Sequence, residues 1–294
     1  MKKDRLSRRG FLTGASATSL AGLALDPQRA RGEAAPPECG SLWERPPRQT
    51  GNNLNLILLV ADTFRRDNLA CYGSQRTECP NLNAFARDSV IFEDFYPEGM
   101  PTIPIRRTLW TGRRIFPLHY YRQPEPVQLP GWHNLYNEDI TLAEVLLEAG
   151  YIPALIGDLP HLQRPGRNFH RGYRMYEWIR GQETDYYGTS PHGLLDVSDI
   201  VPNDYLAKID DLHEFLSQYK ANRQRWQKEG ESLVELVSRA TTRWLRENHA
   251  QRPFLLHVEA FDPHEPWDPP ARFLEKYLPN AQGHTWIEPP YANV

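Results

Sequence analysis

The sequence predicts an α/β fold, a mainly parallel sheet flanked by helices on both faces, and three runs predict it. Leu54 to Asp62 holds seven apolar residues in nine and ends in a carboxylate, the pattern of a buried central strand that delivers a functional group. Thr141 to Gly150 reads as a helix and Tyr151 to Ile156 as the strand after it. A third apolar run, Pro253 to Ala260, leads into Phe261-Asp262-Pro263-His264. Strands alternating with helices imply parallel pairing, and ligands of such sheets gather at the carboxyl ends of the strands. Asp62 therefore stands where chemistry is usually done.

The elements follow in chain order. Residues 1–34 read as a twin-arginine signal peptide: a basic start, then Ser7-Arg8-Arg9-Gly10-Phe11-Leu12, then an Ala/Gly-rich, weakly apolar run from Thr13 to Leu25. That run is too short to span a membrane comfortably, and no other stretch is apolar enough, so no membrane span is expected after signal removal. The expected partner here is the twin-arginine export machinery, and the expected location periplasmic or secreted. Residues 35–53, with Pro36-Pro37 and Pro46-Pro47, read as a lead-in linker. Pro80 opens a helix with apolar residues at 82, 85 and 86, and Val90-Ile91-Phe92 reads as a short strand. Thr141 and Glu144 make a capping box and Gly150 stops that helix. From Asn203 to His249 two amphipathic helices are expected, one through Tyr205, Ile209, Leu212, Leu216 and Tyr219, the other through Leu233, Leu236, Val237 and Trp244, separated near Gly230.

Composition excludes some partners. A chain of 294 residues with 40% hydrophobic and 24% charged residues can bury one sizeable core, and a net charge of -3 points to neither a nucleic-acid nor a polyanion binder. Of the cysteines Cys39, Cys71 and Cys79, the latter two could pair across the loop containing Gly73, although the spacing does not demand it.

The residues that carry chemistry cluster after the first strand. In Thr102-Ile103-Pro104-Ile105-Arg106, a hydroxyl residue precedes a proline that can start a helix, which sets Thr102 at the helix's positive end and Arg106 one turn along. That setting suits an anionic ester. His161 stands after the second strand, in Gly157-Asp158-Leu159-Pro160-His161, and His264 after the third. His257, inside the third strand, reads as a packed core histidine, and Asp262 as a turn-former before proline. Arg167, Tyr173, Trp178 and Arg180 belong to an aromatic and cationic stretch, 163–195, read as stacked surface residues.

These segments resemble the N-terminal part of the sulfatase family in the alkaline phosphatase superfamily. Its pattern is a strand ending in Asp-Asp, then Cys/Ser-x-Pro-x-Arg followed by Leu-Thr-Gly-Arg; the counterparts here are Asp62-Thr63, Thr102 to Arg106, and Trp110-Thr111-Gly112-Arg113. Cys71-Tyr72-Gly73 and Pro80-Asn81-Leu82 continue the likeness, as does Asp262-Pro263-His264-Glu265-Pro266-Trp267. Two departures stand out: Thr63 replaces the second metal carboxylate, and Thr102 occupies the nucleophile position. At Gly157 to His161 the family's Gly-Lys-Trp-His is altered, with the lysine gone and one residue inserted, so His161 reads either as a loop histidine or as the family's leaving-group histidine.

The resemblance implies that residues 54–294 are an N-terminal sulfatase-like catalytic domain, C-terminally incomplete because no later Asp-His or Asp-Asn strand follows His264. It implies a divalent metal, calcium or else manganese or zinc, held in part by Asp62 and Thr102. It implies Thr102 as nucleophile, Arg106 and His264 on the substrate anion, and His161 at the leaving group. Formylglycine is not expected at Thr102, since threonine cannot become that aldehyde. Three functional readings stay open: a metal-dependent hydrolase of sulfuric esters, a phosphodiesterase or phosphonate monoester hydrolase on the same scaffold, and an inactive remnant or anion-binding protein. For the first two, the substrate is a small-molecule or glycan sulfate or phosphate ester.

Overall fold

A computed structural model describes residues 54–115, 131–183, 185–190, 195–201, 212–279 and 287, all within the compact unit that begins at Pro47. The signal-peptide and linker readings, Cys39 and the helical positions Tyr205 and Ile209 lie outside the described residues.

Four parallel strands form the sheet: β1 (Leu56–Ala61), β2 (Ile152–Gly157), β3 (Met175–Trp178) and β4 (Phe254–Ala260), in the spatial order β1-β4-β2-β3. Their registers align the carboxyl ends. Ala61 lies beside Ala260, and Gly157 beside both Glu259 and Trp178. Asp62, Asp158 and Phe261 therefore leave the sheet along one edge, the edge at which parallel α/β proteins bind ligands. A Cβ at Gly157 would fall 2.6 Å from the Glu259 carbonyl oxygen, so only glycine lets β2 and β4 end this close together.

Side chains of β2 and β4 alternate between two cores, as a strand's period of two requires. Ala154, Ile156, Leu256 and Val258 face one, Leu155 the other. The first core is closed by α6 (Leu233–Asn248), whose Val237, Ala240 and Trp244 recur at helical spacing. Ser232 caps it, its hydroxyl accepting from the Glu235 N–H at 3.3 Å. The second core is closed by α2 (Thr102–Thr111), which buries Ile103 and Trp110 against Leu155, Leu159, Phe169 and Phe261. Among the described residues the remaining α-helices are α1 (Pro80–Arg87), α3 (Leu142–Glu148), α4 (Pro160–Gln163), α5 (Leu212–Trp226) and α7 (Ala271–Tyr277). The capping box expected at Thr141 and Glu144 forms in full, with bonds of 3.1 and 2.8 Å.

Three expectations are corrected, and one open possibility is closed. β1 is at the edge of the described sheet, not its centre: β4 is its one neighbour there, and Ile57 and Leu59 remain 57% and 64% exposed. Val90-Ile91-Phe92 forms no strand, because no ladder partner lies beside it among the described residues, and all three side chains are exposed. Met175–Trp178, read as surface, is β3. Cys71 and Cys79 are free thiols.

Candidate active site

Asp62 is the first residue after β1. Its N–H donates to the Ala260 carbonyl at 2.9 Å, which fixes the carboxylate over the end of β4, 6% exposed. Thr63 follows with φ of 52°, a left-handed conformation that a β-branched residue adopts only under strain. The residue standing in for the family's second carboxylate is thus exposed and turned through a strained bend.

Thr102 is the first helical residue of α2 and only 5% exposed, with its helix dipole directed at it. One turn on, Arg106 is 3% exposed and directed inward. Its Nη1 lies 3.3 Å from Asp62 Oδ2, while Nε and Nη2 donate to Glu259 Oε2 at 3.2 and 2.9 Å. Burial alone would lower the guanidinium pKa, but the charges of Glu259 and Asp62 outweigh it and raise it, so Arg106 stays charged.

Glu259 is fully buried on β4, on the face toward α2. Burial works to raise its pKa; the His257 hydrogen bond and the Arg106 charge overcome that and hold it below the ordinary value. His257, buried as expected of a core histidine, places Nε2 3.1 Å from Glu259 Oε1 and Nδ1 2.7 Å from the Tyr173 hydroxyl. Trp110 packs on its ring at 4.2 Å.

The neighbouring residue Arg107, also buried, serves the loop instead: it pairs with Asp139 at 3.3 Å and donates to the carbonyls of His133 and Asn134. Asp139 receives Arg113 as well, so both arginines outside the anion motif hold the segment 131–139.

The two site histidines meet at Phe261. His264 stacks on that ring at 4.2 Å, and His161, in the first turn of α4, lies edge-on at 6.0 Å. His264 Nδ1 is 2.8 Å from the Glu265 carbonyl, which makes Nδ1 the protonated nitrogen and Nε2 an acceptor when the ring is neutral. His161 Nε2 is 2.9 Å from the Glu183 carboxylate. Asp62 and Arg106 are thus brought together directly, His161 and His264 through Phe261. Phe261 joins the two groups along the chain, two residues beyond Glu259.

Asp158, in the position of the family's lysine, is fully buried, and its Oδ1 accepts the Phe261 N–H at 2.8 Å. Burial first, then the nearby Asp262, pushes its pKa well above the ordinary carboxylate value. Asp262 does more than make a turn: its Oδ2 accepts the Val234 N–H at 3.1 Å, in the first turn of α6.

Asp62 Oδ2 is buried without a hydrogen bond, and its neighbour at 3.3 Å is the Arg106 guanidinium. A hard divalent ion takes about six oxygens, and among the described residues no group of three or more His, Cys, Asp or Glu side chains converges on one point. Asp62 and Thr102 do not make a metal site by themselves.

The Sulfatase family model matches residues 54–285. Human iduronate 2-sulfatase is 24% identical over 241 residues, which cover 78% of this chain and 38% of that protein. Human arylsulfatase A is 33% identical over 103 residues, 35% of this chain and 20% of that one. The chain thus spans well under half the length of these relatives. Among solved structures, BT4656 in complex with its substrate D-glucosamine-2-N,6-O-disulfate matches 79% of this chain and 39% of its own, at 18% identity and a TM-score of 0.53, which shows a shared fold. The chain belongs to the sulfatase family, in the alkaline phosphatase superfamily.

Proposed function

We propose that the protein hydrolyses sulfuric esters, with Thr102 as nucleophile, His161 as the acid for the leaving alcohol and His264 on the transferred anion. The observation that carries this reading is the buried Asp62–Arg106 pair at the carboxyl edge of the sheet, held by the same helix that begins with Thr102. The Thr102 oxygen would attack sulfur, passing its proton to water, as the S–O bond to the leaving alcohol breaks; a hydroxyl needs such activation near neutral pH. The departing oxygen takes a proton from His161, whose Nδ1 is the nitrogen not turned to Glu183. Water then cleaves the threonine ester and restores the hydroxyl. Members of the family generally depend on a divalent metal, which supplies positive charge to the transferred group. Asp62 and Thr102 would contribute to holding it.

Relatives named for iduronate, galactosamine and aryl sulfates favour a small-molecule or glycan ester as substrate. The twin-arginine pattern of residues 1–34 supports export to the periplasm or medium, ahead of a catalytic domain beginning at Leu54. Among the described residues no helix is long and apolar enough to cross a membrane.

A second reading, cleavage of phosphonate monoesters or phosphodiesters, is favoured by Thr102 and Thr63. Threonine cannot form the aldehyde whose hydrate releases sulfate, and Thr63 lowers the site's negative charge. The test is turnover of aryl sulfate, phenyl phosphonate monoester and aryl phosphodiester by the purified protein with calcium, manganese or zinc. Sulfate turnover as the fastest supports the first reading, and phosphonate or diester turnover alone replaces it with the second. No turnover with any ion favours the third reading, an inactive remnant or anion-binding protein.

A further inference from the structure

The strand β4 reads as a hydrophobic run, yet it carries one acid that is nowhere exposed, Glu259. A buried carboxylate is retained only if it is paired, and here every partner is fixed. Glu259 Oε2 receives both Nε and Nη2 of Arg106, and Oε1 faces His257 Nε2 at 3.1 Å. Because the carboxylate can only accept, His257 Nε2 is the donor, and Nδ1 of the neutral ring accepts the Tyr173 O–H at 2.7 Å. Burial and then the Glu259 charge raise the Tyr173 phenol pKa well above its ordinary value, which keeps that proton in place. Trp110, four residues after Arg106 on α2, covers the His257 ring at 4.2 Å and prevents it from swinging away.

We propose that Glu259 is the positioning residue of the site: backed by His257 and Tyr173, it holds the Nε–Nη2 edge of Arg106 so that Nη1 is the face presented to Asp62. A guanidinium offers two edges to an anion, and here one is already committed to the protein. Arg106 then meets the reacting group through its end, with Nη1 and the outer Nη2 hydrogen, and its Nε–Nη2 edge is closed to substrate. Its setting depends on the chain Tyr173–His257–Glu259, each member of which is locked by the next. Partners of this kind, behind a residue that touches the substrate, change activity by about 10- to 100-fold when removed.

The inference deepens the proposed hydrolytic reading and rests on it for the catalytic readout, so the experiment has a second readout that does not. In protein labelled with 15N-arginine, the Arg106 Nε–H, identified by its absence in Arg106→Lys, is a shielded, slowly exchanging donor. Glu259→Gln is expected to shift that resonance and speed its exchange, and Tyr173→Phe, which removes one O–H and keeps the packing, to shift it less. With an active wild type, Glu259→Gln lowers kcat by about 10- to 100-fold, and in the Arg106→Lys background the same change adds less than about threefold, because the group it positions is gone. If Glu259→Gln fails to fold, Tyr173→Phe decides by the same two readouts. An unmoved Nε–H, or losses that multiply in the double variant, overturns the positioning role. An inactive wild type with a shifted Nε–H overturns the hydrolytic reading and leaves the positioning intact.

Discussion

Replacing Arg106 by methionine keeps most of the side chain's length and removes its charge. The consequence is set by what it leaves behind: Glu259, fully buried, loses its guanidinium partner, and Asp62, 6% exposed, loses a cation at 3.3 Å. Breaking a buried pair from one side costs about 3–5 kcal/mol, most of it from the stranded charge. For a domain of this size that corresponds to a fall in Tm on the order of 10 °C. The pH dependence identifies the cause. In the native protein the Glu259 pKa is held below its ordinary value of 4.5, so its stabilisation is present above that value and lost as pH falls through the folded one. In Arg106→Met burial wins, the Glu259 pKa rises, and the penalty grows as pH climbs through the raised value. The gap between the two proteins is therefore expected to be narrow in acid and wide at neutral pH. Urea unfolding at a series of pH values measures it. A gap under about 1 kcal/mol at neutral pH, or one that stays constant with pH, would refute the assignment of a stranded carboxylate.

Three further outcomes follow from the geometry. Trp110→Ala, which empties a site shared by Phe169, Tyr173 and His257, is expected to cost roughly 3–5 kcal/mol in chemical denaturation, and a loss below about 1 kcal/mol would show that the α2 face of the core is not packed as described. Asp158→Asn keeps the acceptor for Phe261 N–H; because the native carboxyl pKa is raised by burial and by Asp262, wild-type stability should decline relative to the variant as pH rises above the ordinary carboxylate range of about 4, and parallel pH curves would contradict that. Glu183→Gln weakens the bond to His161 Nε2, and if His161 serves the leaving group, kcat should fall more for esters of poor leaving groups than for nitrophenyl esters; an equal fall for both removes His161 from that role.

Much of the fold is legible in the chain because its strands declare themselves. Leu56–Ala61, Ile152–Gly157 and Phe254–Ala260 are apolar runs that end beside the candidate site residues, and Thr141, Glu144 and Gly150 punctuate the helix that precedes the second. β3 is hidden since Met175-Tyr176-Glu177-Trp178 has neither an apolar run nor clean alternation; it lies at the edge of the described sheet, beside β2. Val90-Ile91-Phe92 misleads in the opposite way, having strand composition and no partner. Of the site, the order of Asp62, Thr102, Arg106, His161 and His264 carries the message, but their second partners do not. Glu259 sits in a run whose other members are apolar or His257, and that incongruity was the available signal: an acid in a strand buried at all seven positions must meet a cation from elsewhere. Glu183, the partner of His161, gives no such sign, because a polar loop surrounds it and only the fold returns it to α4.

Intact mass and peptide mapping of protein quenched during turnover of its best ester test directly whether Thr102 carries the transferred group. A sulfuryl or phosphoryl adduct is expected on the peptide containing Thr102, with loss of both adduct and turnover, by at least about a thousandfold, in Thr102→Ala. Undiminished turnover in Thr102→Ala, with no adduct on the native chain, would contradict that expectation.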